Sequence, residues 1–121
     1  MIASRGWLLA AALGVLALAE PAAAHSLLLE SVPAAGATLS SPPPELMLRF
    51  NNRIEKSLSR IRLVSGQGVE QPLTIVVGAG AVDRLTATVP PLAPGRWRVQ
   101  WQVLSTDGHV VSGRFDFTLA R

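Results

Sequence analysis

The stretch "RWRVQWQVLSTDGHVVSGRFDFTL" (residues 96–119) decides the fold of this chain. In its first part, apolar residues alternate with arginines and glutamines, namely Trp97, Val99, Trp101 and Val103. Its last part repeats the alternation with Phe115, Phe117 and Leu119. A period of two is typical of strands with one face in a core and the other in water. Because "STDG" between the two parts has the composition of a turn, the stretch predicts a long antiparallel hairpin.

Shorter alternating runs precede this hairpin. They are "ELMLRF" (45–50), "RIRLV" (60–64) and "RLTATV" (84–89), each bounded by segments rich in glycine and proline. No sustained helical period with caps follows residue 24, although "NNRIEKSLSR" (51–60) has room for one helical turn. About seven short strands in a chain of this length predict an all-β fold, a small antiparallel sandwich or Greek-key β-barrel.

Residues 1–24 have the features of a signal peptide. Arg5 precedes the apolar stretch "WLLAAALGVLALA" (7–19), which is too short for a membrane span of about 20 apolar residues. Ala22 and Ala24 then have the small-x-small spacing that a signal peptidase accepts. We therefore predict cleavage after Ala24 and a periplasmic location, with an uncleaved N-terminal anchor as the alternative.

Cleavage would leave one domain, residues 25–121, beginning at His25. The chain has no cysteine, so this domain must be held together by its apolar core, and thiolate chemistry is excluded. The formal net charge is +3, and the cationic residues are spread along the sequence. A nucleic-acid partner would need a clustered basic face with interleaved aromatics, so we do not expect one. We interpret the cations as solvated strand faces.

Both histidines of the chain fall at places that suit a metal site. Asp107 and His109 are one residue apart, so in extended backbone their side chains project from the same side, and Gly108 allows a tight turn between them. His25 would add its α-amine and its imidazole. Three nitrogens and a carboxylate oxygen in a plane suit Cu(II), one ion per chain, better than tetrahedral zinc. The alternatives are a surface histidine without a ligand and an Asp107 that caps the turn.

The stretches "SVPAAGATLSSPPPELMLRF" (31–50) and "LAPGRWRVQWQVLSTDGHVVSGRFDFTL" (92–119) resemble the CopC family of periplasmic copper-binding proteins. The shared pattern also includes the opening histidine, the Ser-x-Asp-x-His segment and the aromatic strands around it. The resemblance implies a cupredoxin-like or immunoglobulin-like Greek-key fold, with Cu(II) ligands at His25, Asp107 and His109. It also implies a role in copper resistance or uptake, beside a CopD-type inner-membrane copper transporter or a multicopper oxidase.

Three other positions follow from this resemblance. Trp101 matches the tryptophan that lies near the metal in relatives, although its alternation also suits a core residue. Some relatives carry a carboxylate where this chain has Asn51 and Asn52, and we expect Asn52 to hydrogen-bond a bound water rather than to bind metal. Met47 is the one methionine among residues 25–121. We expect it to fill the core, and we do not expect a separate Cu(I) thioether site.

The leading hypothesis is therefore a non-enzymatic protein that sequesters Cu(II) and passes it to a partner. One alternative is a copper oxygenase-like enzyme with an N-terminal histidine brace. Against it, the chain has no tyrosine, and Asp107 would occupy a position that oxygen chemistry needs. The other is a metal-free β-sandwich interaction module, which predicts no stabilisation by Cu(II).

Overall fold

A computed structural model describes residues 27–78 and 80–121. The predicted signal peptide (1–24), its cleavage site and His25 lie outside these residues. In chain order the strands are β1 (Leu28–Val32), β2 (Thr38–Leu39), β3 (Glu45–Phe50), β4 (Arg60–Ser65), β5 (Glu70–Gln71), β6 (Thr74–Val76), β7 (Arg84–Thr88), β8 (Gly95–Leu104) and β9 (Val110–Leu119). A 3₁₀ turn, Lys56–Leu58, lies between β3 and β4, where the sequence allowed one helical turn.

The strands form two sheets that face each other. One has the order β1-β3-β7-β6 and the other the order β2-β9-β8-β4-β5. Neighbouring strands are antiparallel except for the short pairing of β2 with β9. The predicted all-β fold is thus confirmed, as a sandwich rather than a closed barrel. Two of the nine described strands contain only two residues each, which accounts for the difference from the predicted seven.

The core lies between the two sheets and consists of the residues that the alternation placed inward. Leu48 of β3, Leu63 of β4 and Val99 of β8 are completely buried. Full burial of such a side chain stabilises a fold by about 1.5–3 kcal/mol. Phe115 is only partly buried and packs against this core from its edge.

Met47 does not lie in the core, so that prediction was wrong. It alternates with the buried leucines of β3 and therefore occupies the outer face of the strand, where it is half-buried. Its cross-strand neighbours there are Val32 and Thr86. The period of two that placed the leucines inward also forces this side chain outward.

The β8–β9 hairpin is the longest element of the fold. Its ladder runs without interruption from the pair Gly95 and Leu119 to the pair Leu104 and Val110. Since β8 also pairs with β4 along most of its length, the hairpin is held on both sides of β8. This ladder carries the segment of residues 105–109, hereafter the hairpin loop, at one end of the sandwich.

Candidate metal-binding site

The hairpin loop is a tight turn with its own hydrogen bonds. The backbone N–H of Gly108 donates to the Ser105 carbonyl at 3.0 Å, and the N–H of Ser105 donates to the His109 carbonyl at 2.9 Å. Gly108 has a φ of +86°, in the left-handed region that favours glycine. The expected tight turn at Gly108 is confirmed. The argument that Asp107 and His109 project from the same side assumed an extended backbone, and the backbone here is a turn instead.

The turn nevertheless brings Asp107 and His109 into direct contact. One carboxylate oxygen of Asp107, Oδ1, accepts the backbone N–H of His109 at 3.0 Å, so Asp107 also caps the turn. The other oxygen, Oδ2, lies 2.9 Å from Nδ1 of the His109 ring. An ionised carboxylate only accepts hydrogen bonds, so in the neutral imidazole this contact places the proton on Nδ1 and the lone pair on Nε2. A carboxylate behind an imidazole in this way is the arrangement that orients histidine ligands in metal sites.

The His109 side chain is accessible from solvent. Its exposed fraction is 64%, whereas that of Asp107 is 27%. The imidazole is thus the more accessible of the two groups, and its contact with the carboxylate fixes the orientation of the ring.

The start of the described chain is fixed at the same end of the sandwich. The backbone N–H of Leu27 donates to the side-chain oxygen of Asn51 at 2.7 Å, and the N–H of Asn51 donates to the Leu27 carbonyl at 3.0 Å. Three residues further on, Ile54 forms a β-bridge with Ser105, the first residue of the hairpin loop. The segment after β3 thus connects Leu27 to the loop that carries Asp107.

Sequence reasoning missed the role of Asn51. It treated this residue only as a position where a carboxylate is lacking, whereas the side chain holds the incoming N-terminal segment. Leu27 and Asn51 are 24 residues apart, and no local pattern in the sequence links them. An asparagine directly after a strand was the one available signal, and it is too common to identify the partner.

The two other predicted residues lie next to the loop rather than in it. Trp101 is buried in β8 and meets Phe50 edge-on, with ring centroids 5.2 Å apart and an interplanar angle of 70°. This burial confirms its alternative role as a core residue. In the β8–β9 ladder it lies three residue pairs from the end next to the hairpin loop. Asn52 is half-buried in the segment that runs from β3 to the bridge at Ile54.

The described residues do not by themselves make a complete metal site. The described part of the chain brings together two of the predicted ligand residues, Asp107 and His109. Among residues 27–78 and 80–121, no group of three or more His, Asp or Glu side chains is placed to hold a metal ion. An ion at the hairpin loop would therefore need donors beyond these two side chains. Within the same part of the chain, no helix has the length and apolar character that a bilayer crossing requires.

The fold and the loop define the class of protein: an open β-sandwich with a histidine–aspartate pair at the tip of its longest hairpin. A family model described as "CopC domain" matches residues 28–120. The chain belongs to the CopC family, which confirms the resemblance drawn from its sequence.

Individual relatives agree with this assignment. Copper resistance protein C of Pseudomonas syringae pv. tomato is 32% identical over 117 residues, which cover 91% of this chain and 90% of the relative. The crystal structure of CopC from Methylosinus trichosporium OB3b matches with a TM-score of 0.76 and 32% identity, over 79% of this chain and 94% of that one. PcoC, described as a methionine-rich copper resistance protein from Escherichia coli, matches with a TM-score of 0.72 and 25% identity, over 79% and 99%.

Proposed function

We propose that this protein binds Cu(II), one ion per chain, in the periplasm, after removal of residues 1–24 as a signal peptide. The proposed ligands are the amine and imidazole of His25, the Nε2 atom of His109 and the carboxylate of Asp107, which would turn from Nδ1 of His109 to reach the ion. The protein sequesters copper for resistance or homeostasis and passes it to a CopD-type inner-membrane transporter or a multicopper oxidase. It acts as a binding protein and not as an enzyme. Membership of the CopC family, with relatives named copper resistance proteins, supports copper as the ion.

The observation that carries the proposal is the attachment of Leu27 to Asn51 at the end of the sandwich that holds the hairpin loop. His25 precedes Leu27 by two residues, and two residues of extended chain span at most about 7 Å. This short connection supports a terminal amine and imidazole within reach of His109. The set of donors would then be complete without any group from another protein.

The chemistry of these donors favours copper in its divalent state. Amine, imidazole and carboxylate are nitrogen and oxygen ligands, which suit Cu(II), and copper binds such sites more tightly than the other divalent first-row metals. A thioether ligand would favour Cu(I), but the Met47 thioether lies on β3, on the outer face of the other sheet. Each ligand binds the ion in its deprotonated form, so protons compete with copper at this site.

The proposal is tested by blocking the N-terminal amine. Two proteins are compared: residues 25–121 with a free amine on His25, and the same residues fused behind a carrier protein without histidine or cysteine. In the fusion the His25 nitrogen is a peptide amide. We expect the free form to bind one Cu(II) at least about a hundredfold more tightly, as measured by competitive titration against a chelator of known affinity.

Either of two results would contradict the proposal. Equal affinity in both proteins would show that the amine is not a ligand. Failure of both to bind, with no rise in melting temperature on adding Cu(II), would favour a metal-free module, because specific binding to the native state must stabilise it. The affinity for Zn(II) is measured for comparison and is expected to be lower than that for Cu(II).

A second prediction concerns the carboxylate of Asp107. In Asp107→Asn the amide oxygen can still cap the turn, but the negative charge beside Nδ1 of His109 is lost. We expect Cu(II) affinity to fall by about 10–100-fold, which is typical when an orienting partner of a metal-bound histidine is removed. Titration with Cu(II) measures the loss, and an unchanged melting temperature of the metal-free protein shows that the turn is intact. Unaltered affinity would remove Asp107 from the site.

A further inference from the structure

The outer face of the five-stranded sheet carries five arginines. Strands β4, β8 and β9 are neighbours, and their outward positions hold Arg60, Arg62, Arg96, Arg98 and Arg114. These residues are spread along the sequence and lie on solvated strand faces, as interpreted above, but that interpretation missed that the topology collects them on one sheet. We call this surface the arginine face.

The register arranges the arginines in rows with neutral polar residues between them. Gln100 of β8 lies between Arg62 and Arg114 in one row. In the next row, Gln102 lies between Arg60 and Ser112. A groove with a volume of about 450 Å³ runs over these two rows, and its lining includes all six side chains. The groove is thus lined mainly by amide, hydroxyl and guanidinium groups, together with Gly113 and the largely buried Trp101.

Two carboxylates on this surface neutralise part of its charge. Glu70 of β5 forms an ion pair with Arg62 at 2.9 Å, and Asp116 of β9 forms one with Arg98 at 2.9 Å. The hydrogen bond from the arginine lowers the pKa of each carboxyl group below its ordinary value. Both are therefore ionised at neutral pH, and the five guanidinium groups exceed the carboxylates by three.

This excess equals the formal net charge of the whole chain, which is +3. The other lysine and arginine residues among residues 27–121 are balanced one for one by aspartate and glutamate. The positive charge of the protein is thus concentrated on one sheet face instead of being spread over the surface. Three of its arginines, Arg60, Arg96 and Arg114, form no ion pair among the described residues.

We propose that the arginine face is a docking surface for an acidic segment of a partner protein. Guanidinium groups hold carboxylates through paired hydrogen bonds, and the glutamines and the serine between them match the polar groups of a peptide backbone. Charge complementarity of this kind increases the rate of association and selects the partner. The segment would lie along the groove, with its carboxylates directed at Arg60 and Arg114.

Other occupants fit this surface less well. Nucleic acid requires exposed aromatic rings between the cations, but the indoles of Trp97 and Trp101 are buried on the inner side of β8. Trp101 also lines the groove but is only 8% exposed, and the two rows contain no large apolar side chain that would insert into a lipid bilayer. A second copy would present either the same positive face or surfaces whose charges are balanced.

Docking on the arginine face would bring the partner close to the proposed copper site. Ser112 lies three residues from His109, which is roughly 10 Å along a strand. A segment bound in the groove would therefore place its protein beside the hairpin loop. The docking proposal itself does not depend on copper, and its test uses the metal-free protein, so either proposal can fail alone.

The test uses an acidic peptide of about eight residues, alternating glutamate and serine, which when extended is long enough to cover the groove at about 3.3 Å per residue. Binding to residues 25–121 is measured by fluorescence anisotropy at low and high salt. The double variant Arg60→Gln/Arg114→Gln is compared with Arg49→Gln/Arg84→Gln. The control residues are cross-strand neighbours in the other sheet, so both variants lose two positive charges.

We expect the first variant to bind the peptide about tenfold more weakly, the control variant to bind like the unaltered protein, and high salt to weaken binding in all three. Equal loss in both variants would show that net charge alone is responsible and would overturn the proposal. It would also be overturned if the peptide did not bind. Tighter binding to phosphatidylglycerol vesicles or to a DNA duplex than to the peptide would assign the face to a different partner.

Discussion

Replacing His109 with alanine is expected to weaken Cu(II) binding by about a hundredfold or more, without affecting the fold. The change removes the whole imidazole donor, whereas Asp107→Asn keeps an amide oxygen at its position, so it should cost more than the 10–100-fold expected for Asp107→Asn. His109→Ala should therefore be the weaker binder when compared with Asp107→Asn. Electron paramagnetic resonance of the bound Cu(II) should show one fewer nitrogen ligand.

The structure explains why this substitution leaves the fold intact. The His109 side chain is largely exposed, and the hydrogen bond from Ser105 uses the His109 carbonyl, which alanine keeps. We expect the free energy of unfolding of the metal-free protein to change by no more than about 0.5 kcal/mol, which is usual for surface positions. Thr106→Ala, at an exposed position in the same turn, is the matched control and should bind copper normally. Normal copper binding by His109→Ala would exclude His109 from the site.

The faces of the strands could be predicted from the sequence because their signal is local. Alternation in β8 placed Trp97, Val99 and Trp101 inward, and each of them is buried. The same alternation also predicts that Met47 points outward, since it lies between two buried leucines. Its placement in the core came from the general preference of methionine for buried sites, and the period of two is the stronger constraint.

The candidate site was predictable only in part. Asp107 and His109 are close in sequence, and the glycine between them indicated a turn, so their contact followed from local chemistry. The attachment of Leu27 to Asn51 depends on how two distant segments are paired. Such long-range pairing is decided by the packing of the sheets and leaves no pattern in either segment.

The arginine face was missed for the same reason. Arg60 and Arg114 belong to different strands that are brought to the two sides of β8 by the sheet order. Charge counted along the sequence gives only the total, whereas the distribution of charge depends on topology. The alternation did predict that both side chains point outward, and the identity of the neighbouring strands was the missing information.

Gly113→Ala is expected to destabilise the protein by about 2 kcal/mol or more, although it adds a single methyl group. Gly113 lies directly opposite Trp101 in the β8–β9 ladder. A Cβ atom at this position would lie 2.5 Å from Cζ2 and 2.8 Å from Cε2 of the indole, far inside van der Waals contact. The ring is buried and packs edge-on against Phe50, so it cannot turn away without disturbing the core. Overpacking of this kind typically costs about 1–3 kcal/mol.

Chemical denaturation followed by tryptophan fluorescence measures this effect, and the melting temperature should fall by about 10 °C for a domain of this size. Gly66→Ala is the control, because its nearest heavy atom to a new Cβ is 3.6 Å away and its φ is not positive. We expect it to change stability by less than about 1 kcal/mol.

A double-mutant cycle separates the clash from the intrinsic cost of alanine in β9. Trp101→Phe removes Cζ2, the indole atom nearest to a Cβ at Gly113, so Gly113→Ala should cost less in that background. The coupling free energy between the two positions should then lie within the 0.5–3 kcal/mol that contacting residues show, at about 1 kcal/mol or more. Additive effects would mean that the indole does not lie over Gly113, and the position of Trp101 beneath the hairpin loop would have to be revised.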